Sequence, residues 1–246
     1  MNTWWVHSDV GHLQLNLVSV LEIHSDSRWA EARQAISAAE LRRAEGIRLE
    51  SAKKRYLATR AFVRATLSSF VHPEWVVSPR EWEFQTGPHG RPEVGFPVVG
   101  SLSFNISHTE DHILCGISTD GTVGVDIETW TARINIEHLV RKVFASAEQT
   151  QLCAKDSPEQ KKELFFVFWT LKEAYLKGLG TGILLPLQSI DFGDTEFSRR
   201  GASIRLRLQP NIPDDPSRWR FSLHQPVPGY QIGTALAVPK LNSTNL

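Results

Sequence analysis

Apolar and polar residues alternate near the start of the chain, where Leu13, Leu15 and Leu17 interleave with Gln14 and Asn16, so the stretch from Trp4 to Ile23 predicts half-buried strand. From Ala30 to Phe70 the period lengthens to that of a helix. Leu57, Ala61 and Arg64 share one side of it, and the other side is strongly basic. After Pro73, strands are predicted around Trp82-Glu83-Phe84 and from Leu102 to Ile106, separated by the turn-rich Gly87-Pro88-His89-Gly90-Arg91-Pro92. Ile113 to Ser118 and Val123 to Ile127 predict a hairpin through Asp120-Gly121. Helical spacing returns from Ile136 to Ala154. After a polar break at Lys155-Asp156-Ser157-Pro158, a long helix is predicted from Glu159 to Leu179, with Gly178 and Gly180 as its stop. Strands are predicted at Ser189 to Phe192, Ala202 to Leu208, Trp219 to Leu223 and Ile232 to Val238. Each half thus reads as helices with a small antiparallel sheet, an α/β (α+β) fold in two subdomains, 1–120 and 121–240, followed by a polar tail at 241–246.

Composition narrows the functional classes. With 246 residues and 41% hydrophobic content the chain can bury a real core. Lys plus Arg and Asp plus Glu both total 27, which argues against a general nucleic-acid binder and makes any electrostatic recognition local. The two cysteines, Cys115 and Cys153, lack metal-ligand spacing and fit a reducing cytoplasm. No basic and apolar leader opens the sequence, and no apolar run approaches the ~20 residues of a membrane span, so a soluble cytoplasmic protein is expected.

Candidate chemistry sits in two short segments. In Gly124-Val125-Asp126-Ile127-Glu128 the strand period puts Asp126 and Glu128 on one face. In Trp169-Thr170-Leu171-Lys172-Glu173-Ala174-Tyr175-Leu176-Lys177 the helical period puts Trp169, Glu173 and Lys177 on one stripe. Each segment alone has a plain explanation: alternating carboxylates recur at Glu81-Trp82-Glu83, and Glu-Lys pairs four apart decorate many exposed helices. The apolar setting changes that balance, because Phe165, Phe166, Phe168, Leu171, Tyr175 and Leu176 leave the helix few directions to face water, and charges there need partners. If strand and helix pack together, three carboxylates and an ammonium converge, a set suited to Mg²⁺ and a phosphate-bearing substrate. His108, ending Phe104-Asn105-Ile106-Ser107-His108, is a structural hydrogen-bonder or a phosphate contact. Most of Arg42, Arg43, Arg48, Lys53, Lys54, Arg55, Arg60 and Arg64 read as solvated helix surface, with one or two free to grip a phosphate.

Phe104 to His108, Gly124 to Glu128 and Phe168 to Lys177 resemble, in order and spacing, the three signature segments of Sfp-type 4'-phosphopantetheinyl transferases, and Gly90-Arg91-Pro92 resembles the basic turn that precedes them. The Arg43 to Arg64 region and Leu184-Pro186-Leu187 extend the similarity over most of the chain. The resemblance implies two similar halves related by a pseudo-twofold, with the site between them. It implies transfer of the phosphopantetheine arm of coenzyme A to a serine of an acyl or peptidyl carrier protein, releasing adenosine 3',5'-bisphosphate. Asp126, Glu128 and Glu173 would then bind Mg²⁺. Arg43, Arg91, Ser107, His108 and Lys177 would contact coenzyme A, with Asp126 also in its binding site. Glu173 would act on the serine proton and Lys177 on the departing phosphate. A monomer suffices for such a site, with neither nucleic acid nor membrane as partner. Two other readings stay open: a non-catalytic coenzyme A or nucleotide binder, and an Mg²⁺-dependent nucleotide hydrolase.

Overall fold

The computed structural model describes residues 1–9, 11–71, 76–130, 135–182, 185–198 and 201–238. Leu184 and the tail at 241–246 lie outside them. The first predicted strand is a hairpin, β1 (Asn2–Ser8) and β2 (Gly11–Ser19), running into a helical turn, α1 (Val20–Ile23). The long helical region is three helices, α2 (Asp26–Ala35), α3 (Ala38–Glu45) and α4 (Glu50–Phe70). Ser37 starts α3 with a reciprocal capping box, its hydroxyl accepting from Glu40 N–H while the Glu40 carboxylate accepts from Ser37 N–H, a local competition that periodicity alone misses.

A two-stranded ribbon, β3 (Glu83–Thr86) and β4 (Pro92–Phe96), leads to β5 (Ser103–His108), β6 (His112–Ser118) and β7 (Thr122–Thr129). Next come α5 (Ile136–Val143), α6 (Ser146–Cys153) and α7 (Pro158–Leu179). Four short strands follow: β8 (Ile190–Asp191), β9 (Glu196–Ser198), β10 (Gly201–Ser203) and β11 (Arg207–Leu208). The chain then forms β12 (Trp219–His224) and β13 (Tyr230–Ala237).

The strands form two principal antiparallel sheets, ordered β1-β2-β6-β5 and β12-β13-β7. The predicted β6–β7 hairpin is therefore corrected: the strands part, β6 pairing with β2 and β5 while β7 pairs with β13. Gly121 makes the parting feasible, since a Cβ there would overlap the Ala237 carbonyl of β13. One face of the first sheet packs Ile113, Cys115 and Ile117 against Ala58, Phe62 and Leu67 of α4. Leu13, Leu15, Leu17 and Leu114 on its other face meet Val123, Val125, Ile127 and Ile232 of the second sheet. The far face of the second sheet carries α7, whose Phe165, Phe168, Leu171 and Tyr175 form the largest apolar cluster. The order of layers is helix, sheet, sheet, helix.

Candidate active site

Two glycines set the height of α7 above its sheet. A Cβ on Gly124 of β7 would overlap the Ala174 carbonyl, and one on Gly233 of β13 would lie 2.6 Å from the Thr170 carbonyl. With helix and strands this close, short side chains on β7 reach α7 directly. Gly180, at φ +75°, ends the helix in the left-handed region, whereas Gly178 lies inside it, buried against Trp219, and is not a stop. From 164 to 178 every position of α7 is buried except 169, 173 and 177, the stripe singled out by the helical period.

This half-buried stripe faces the carboxylates of β7. Lys177 Nζ lies 2.6 Å from Asp126 Oδ1 and donates to Ser107 Oγ at 2.9 Å. Trp169 Nε1–H donates to Glu128 Oε1 at 3.1 Å. Ser107 Oγ–H donates to Asp126 Oδ1 at 2.9 Å and its oxygen accepts from Ile127 N–H at 3.3 Å. Asp126 is 3% exposed, yet among the described residues its Oδ2 has no hydrogen-bond partner. Burial, then the charge of Asp126, pushes the Glu128 carboxyl up to about 7. The same two causes, in the same order, raise that of Glu173. Three desolvated carboxylates thus share one ammonium, an excess of negative charge.

A hard divalent cation fits these residues, since an orphaned, buried carboxylate oxygen and two neighbours that resist ionising beside it are what an oxygen-ligated ion would relieve. Among the described residues no three such side chains already close around one point, and Lys177 is the cation on Asp126.

A basic cavity of about 350 Å³ is lined by Arg55, Tyr56, Thr59, Arg60, Ile106 and His108, of which His108 is near enough to Asp126 to feel its charge. His108 stands at its lip, where partial desolvation and then the charge of Arg55 lower its pKa below the usual imidazole value. The Arg60 guanidinium lies 5.4 Å and that of Arg43 5.9 Å from the Tyr56 ring centre, so Arg43 reaches this cavity through that ring. Acidic groups at one end and basic groups at the other suit a substrate whose phosphates bridge metal and arginine.

A family model described as the 4'-phosphopantetheinyl transferase superfamily matches residues 122–235, the stretch that holds β7 and α7. The chain is similar to the 4'-phosphopantetheinyl transferase HetI of Nostoc sp., 30% identical over 77% of this chain and 79% of that protein. It is also similar to a putative 4'-phosphopantetheinyl transferase of Synechocystis sp., 32% identical over 74% of this chain and 75% of that protein. This chain belongs to the 4'-phosphopantetheinyl transferase family. Its likeness to the 4'-phosphopantetheinyl transferase Sfp of Bacillus subtilis is 28% identity over 70% of each chain.

Within this transferase, Asp126, Ser107 and Lys177 are in direct hydrogen-bond contact, Glu128, Glu173 and His108 lie near enough to feel the charge of Asp126, and Arg43 lies against the Tyr56 ring of the basic cavity. Arg91 stands apart. Its guanidinium donates to the Lys177 and Gly178 carbonyls, each at 2.9 Å, to the Val123 carbonyl at 3.0 Å and to Ser103 Oγ at 3.3 Å. It clamps the C-terminal end of α7 to the starts of β5 and β7, where a cation also meets the helix dipole well. Four residues of strand, roughly 13 Å, separate Ser103 from Ser107 at the carboxylates.

Sequence reasoning missed how β5 and β7 are joined. Ser103 Oγ, Asn105 Oδ1 and Ser107 Oγ accept from the N–H groups of Val123, Val125 and Ile127, a parallel ladder in which side chains replace one strand's carbonyls. The signal was present as three short polar residues at a two-residue period in an otherwise apolar strand. Also unread were Tyr56 as the floor beneath two guanidiniums and the bond from Trp169 to Glu128.

Proposed function

We propose that this enzyme transfers the 4'-phosphopantetheine arm of coenzyme A to a serine hydroxyl of an acyl or peptidyl carrier protein and releases adenosine 3',5'-bisphosphate. The observation that carries the proposal is the pairing of a buried carboxylate oxygen without a partner, on Asp126, with a basic cavity that begins at His108. Arg55, Arg60 and His108, with Arg43 at the rim, would hold phosphates of coenzyme A. Asp126, Glu128 and Glu173 would hold Mg²⁺, which when bound supplies charge neutralisation at the pyrophosphate.

Glu173, its pKa raised, is suited to take the proton from the attacking serine. Lys177 carries its ammonium at the partly open edge of α7, where it can follow charge onto the departing bisphosphate. Arg91, placed at the other end of the strand joint, serves coenzyme A binding by fixing the turn in which it lies. The site is built from β5, β7, α4 and α7 of a single chain, which supports a monomer. Cys115 and Cys153 are both unpaired, as expected of a cytoplasmic protein. Among the described residues no helix is long and apolar enough to cross a membrane.

The test is mass spectrometry of an unmodified carrier incubated with enzyme, coenzyme A and Mg²⁺. A mass gain of one phosphopantetheine is expected; coenzyme A hydrolysis without a heavier carrier would make the protein a hydrolase, and saturable binding without turnover would make it a binding module. Asp126→Ala and Glu173→Ala should abolish the mass gain with an unchanged circular dichroism spectrum. Near-normal transfer by either rejects these roles.

A further inference from the structure

Ser107 is buried and its hydroxyl is fully used: its one hydrogen goes to Asp126 Oδ1, and its lone pairs receive Lys177 Nζ–H and Ile127 N–H. No capacity remains for a phosphate oxygen. The bonds also fall unevenly on Asp126, whose Oδ1 accepts from both Ser107 and Lys177 while Oδ2, buried, has no partner among the described residues. A carboxylate turns easily about its last torsion, and a lysine on a flexible stem restrains that turn weakly. Ser107 restrains it well, because the ladder bond to Ile127 N–H ties its own oxygen to the strand that carries Asp126.

We infer that Ser107 is a positioning residue for the metal carboxylate: it holds Asp126 so that Oδ2 is presented to a divalent cation, and its hydroxyl does not bind coenzyme A. The inference rests on the transferase reading for its biological meaning, but not for its test. Residues that orient a ligand to a metal commonly set its affinity by roughly 10- to 100-fold. Ser107 also couples the halves, since β5 belongs to the first sheet and Asp126 to the second. The metal carboxylate is therefore aimed from across the joint between them.

The experiment measures Mn²⁺ binding by the loss of the free-ion electron paramagnetic resonance signal, without coenzyme A or carrier, and coenzyme A binding in EDTA by calorimetry. Ser107→Ala, and Ser107→Cys, which keeps the shape with a poor hydrogen-bonding group, should each weaken Mn²⁺ by roughly 10- to 100-fold. Both should leave coenzyme A affinity in EDTA unchanged. Ser107→Thr, which keeps a hydroxyl, should restore most of the Mn²⁺ affinity. Ser103→Ala removes the matching hydroxyl at the far end of the same ladder and should leave Mn²⁺ affinity as in the wild type. Unchanged Mn²⁺ affinity in both Ser107 deletions, a loss of coenzyme A affinity in EDTA, or an equal Mn²⁺ loss in Ser103→Ala overturns the inference. A wild-type protein that binds Mn²⁺ but modifies no carrier refutes the transferase proposal and leaves this one standing.

Discussion

Lys172 and Lys177 lie five residues apart on α7 and meet opposite fates. Lys177 stands at the open edge beside Asp126, whereas Lys172 is 1% exposed, its Nζ 2.8 Å from Glu148 Oε2 and bonded to the carbonyls of Leu187 and Ile190. Glu148 is also satisfied, accepting from Ala145 N–H at 2.8 Å and Phe192 N–H at 2.9 Å. Burial pulls the Lys172 pKa down and pushes that of Glu148 up, while each partner opposes the other's shift. Such a pair adds little over an apolar replacement, but losing one member strands the other. Lys172→Met should lower the unfolding free energy in urea by about 3–5 kcal/mol, and adding Glu148→Gln should recover part of that. In the sequence, Lys172 stood only as one residue of the helical motif, while Glu173 and Lys177 were the charges singled out. Nothing local pointed to Glu148, because the loop after α7 and the start of α6 meet only in the folded chain.

At the scale of elements, backbone contact of helix with strand places the chemistry. β7 and α7 were legible because both carry strong periods: apolar residues every second position in one, and Trp169, Glu173 and Lys177 spaced by four in the other. Their separation was not legible. It depends on Gly124 having no side chain beneath Ala174, and a glycine inside a strand reads equally as a bulge or a weak point. Gly124→Ala forces a methyl into backbone that cannot rotate away. It should cost about 1–3 kcal/mol and lower carrier modification at least tenfold, checked by thermal unfolding and by initial rates at saturating Mg²⁺. A variant with wild-type rate and stability would mean that α7 does not need this approach. The corrected β6–β7 hairpin has the same lesson: the chain bends at 119–121, but pairing was decided by which partner each strand could reach.

For the whole molecule, stability and function meet where the two sheets join. Arg91 holds one end, the side-chain ladder runs between β5 and β7, and at another point His224 of β12 packs edge-on to Trp4 of β1, ring centres 5.9 Å apart. Burial pulls the His224 pKa from 6.5 to about 4, so the folded protein holds this imidazole neutral. As pH falls below about 6.5 the unfolded chain takes a proton that the folded one refuses until about pH 4. Its stabilising contribution is therefore complete above pH 6.5 and drains away between 6.5 and 4, on the order of 3 kcal/mol in all. His224→Gln should flatten the fall in stability across that window, measured by urea unfolding at pH 4.5, 5.5 and 7. An unchanged slope would show that other groups carry the acid sensitivity.

Local pattern alone was enough to mark the strand of Asp126 and Glu128, the aromatic helix of Glu173 and Lys177, and the order of segments characteristic of the family. Such features repeat over two to four residues and survive whatever lies beyond them. Folding settled the remainder: which strands share a sheet, that Arg91 clamps a joint, that Arg55, Arg60 and Tyr56 make a cavity with His108, and that Ser107 bonds Asp126. Each of these depends on contacts between residues far apart in the chain. Close packing selects those contacts, and no spacing rule encodes them.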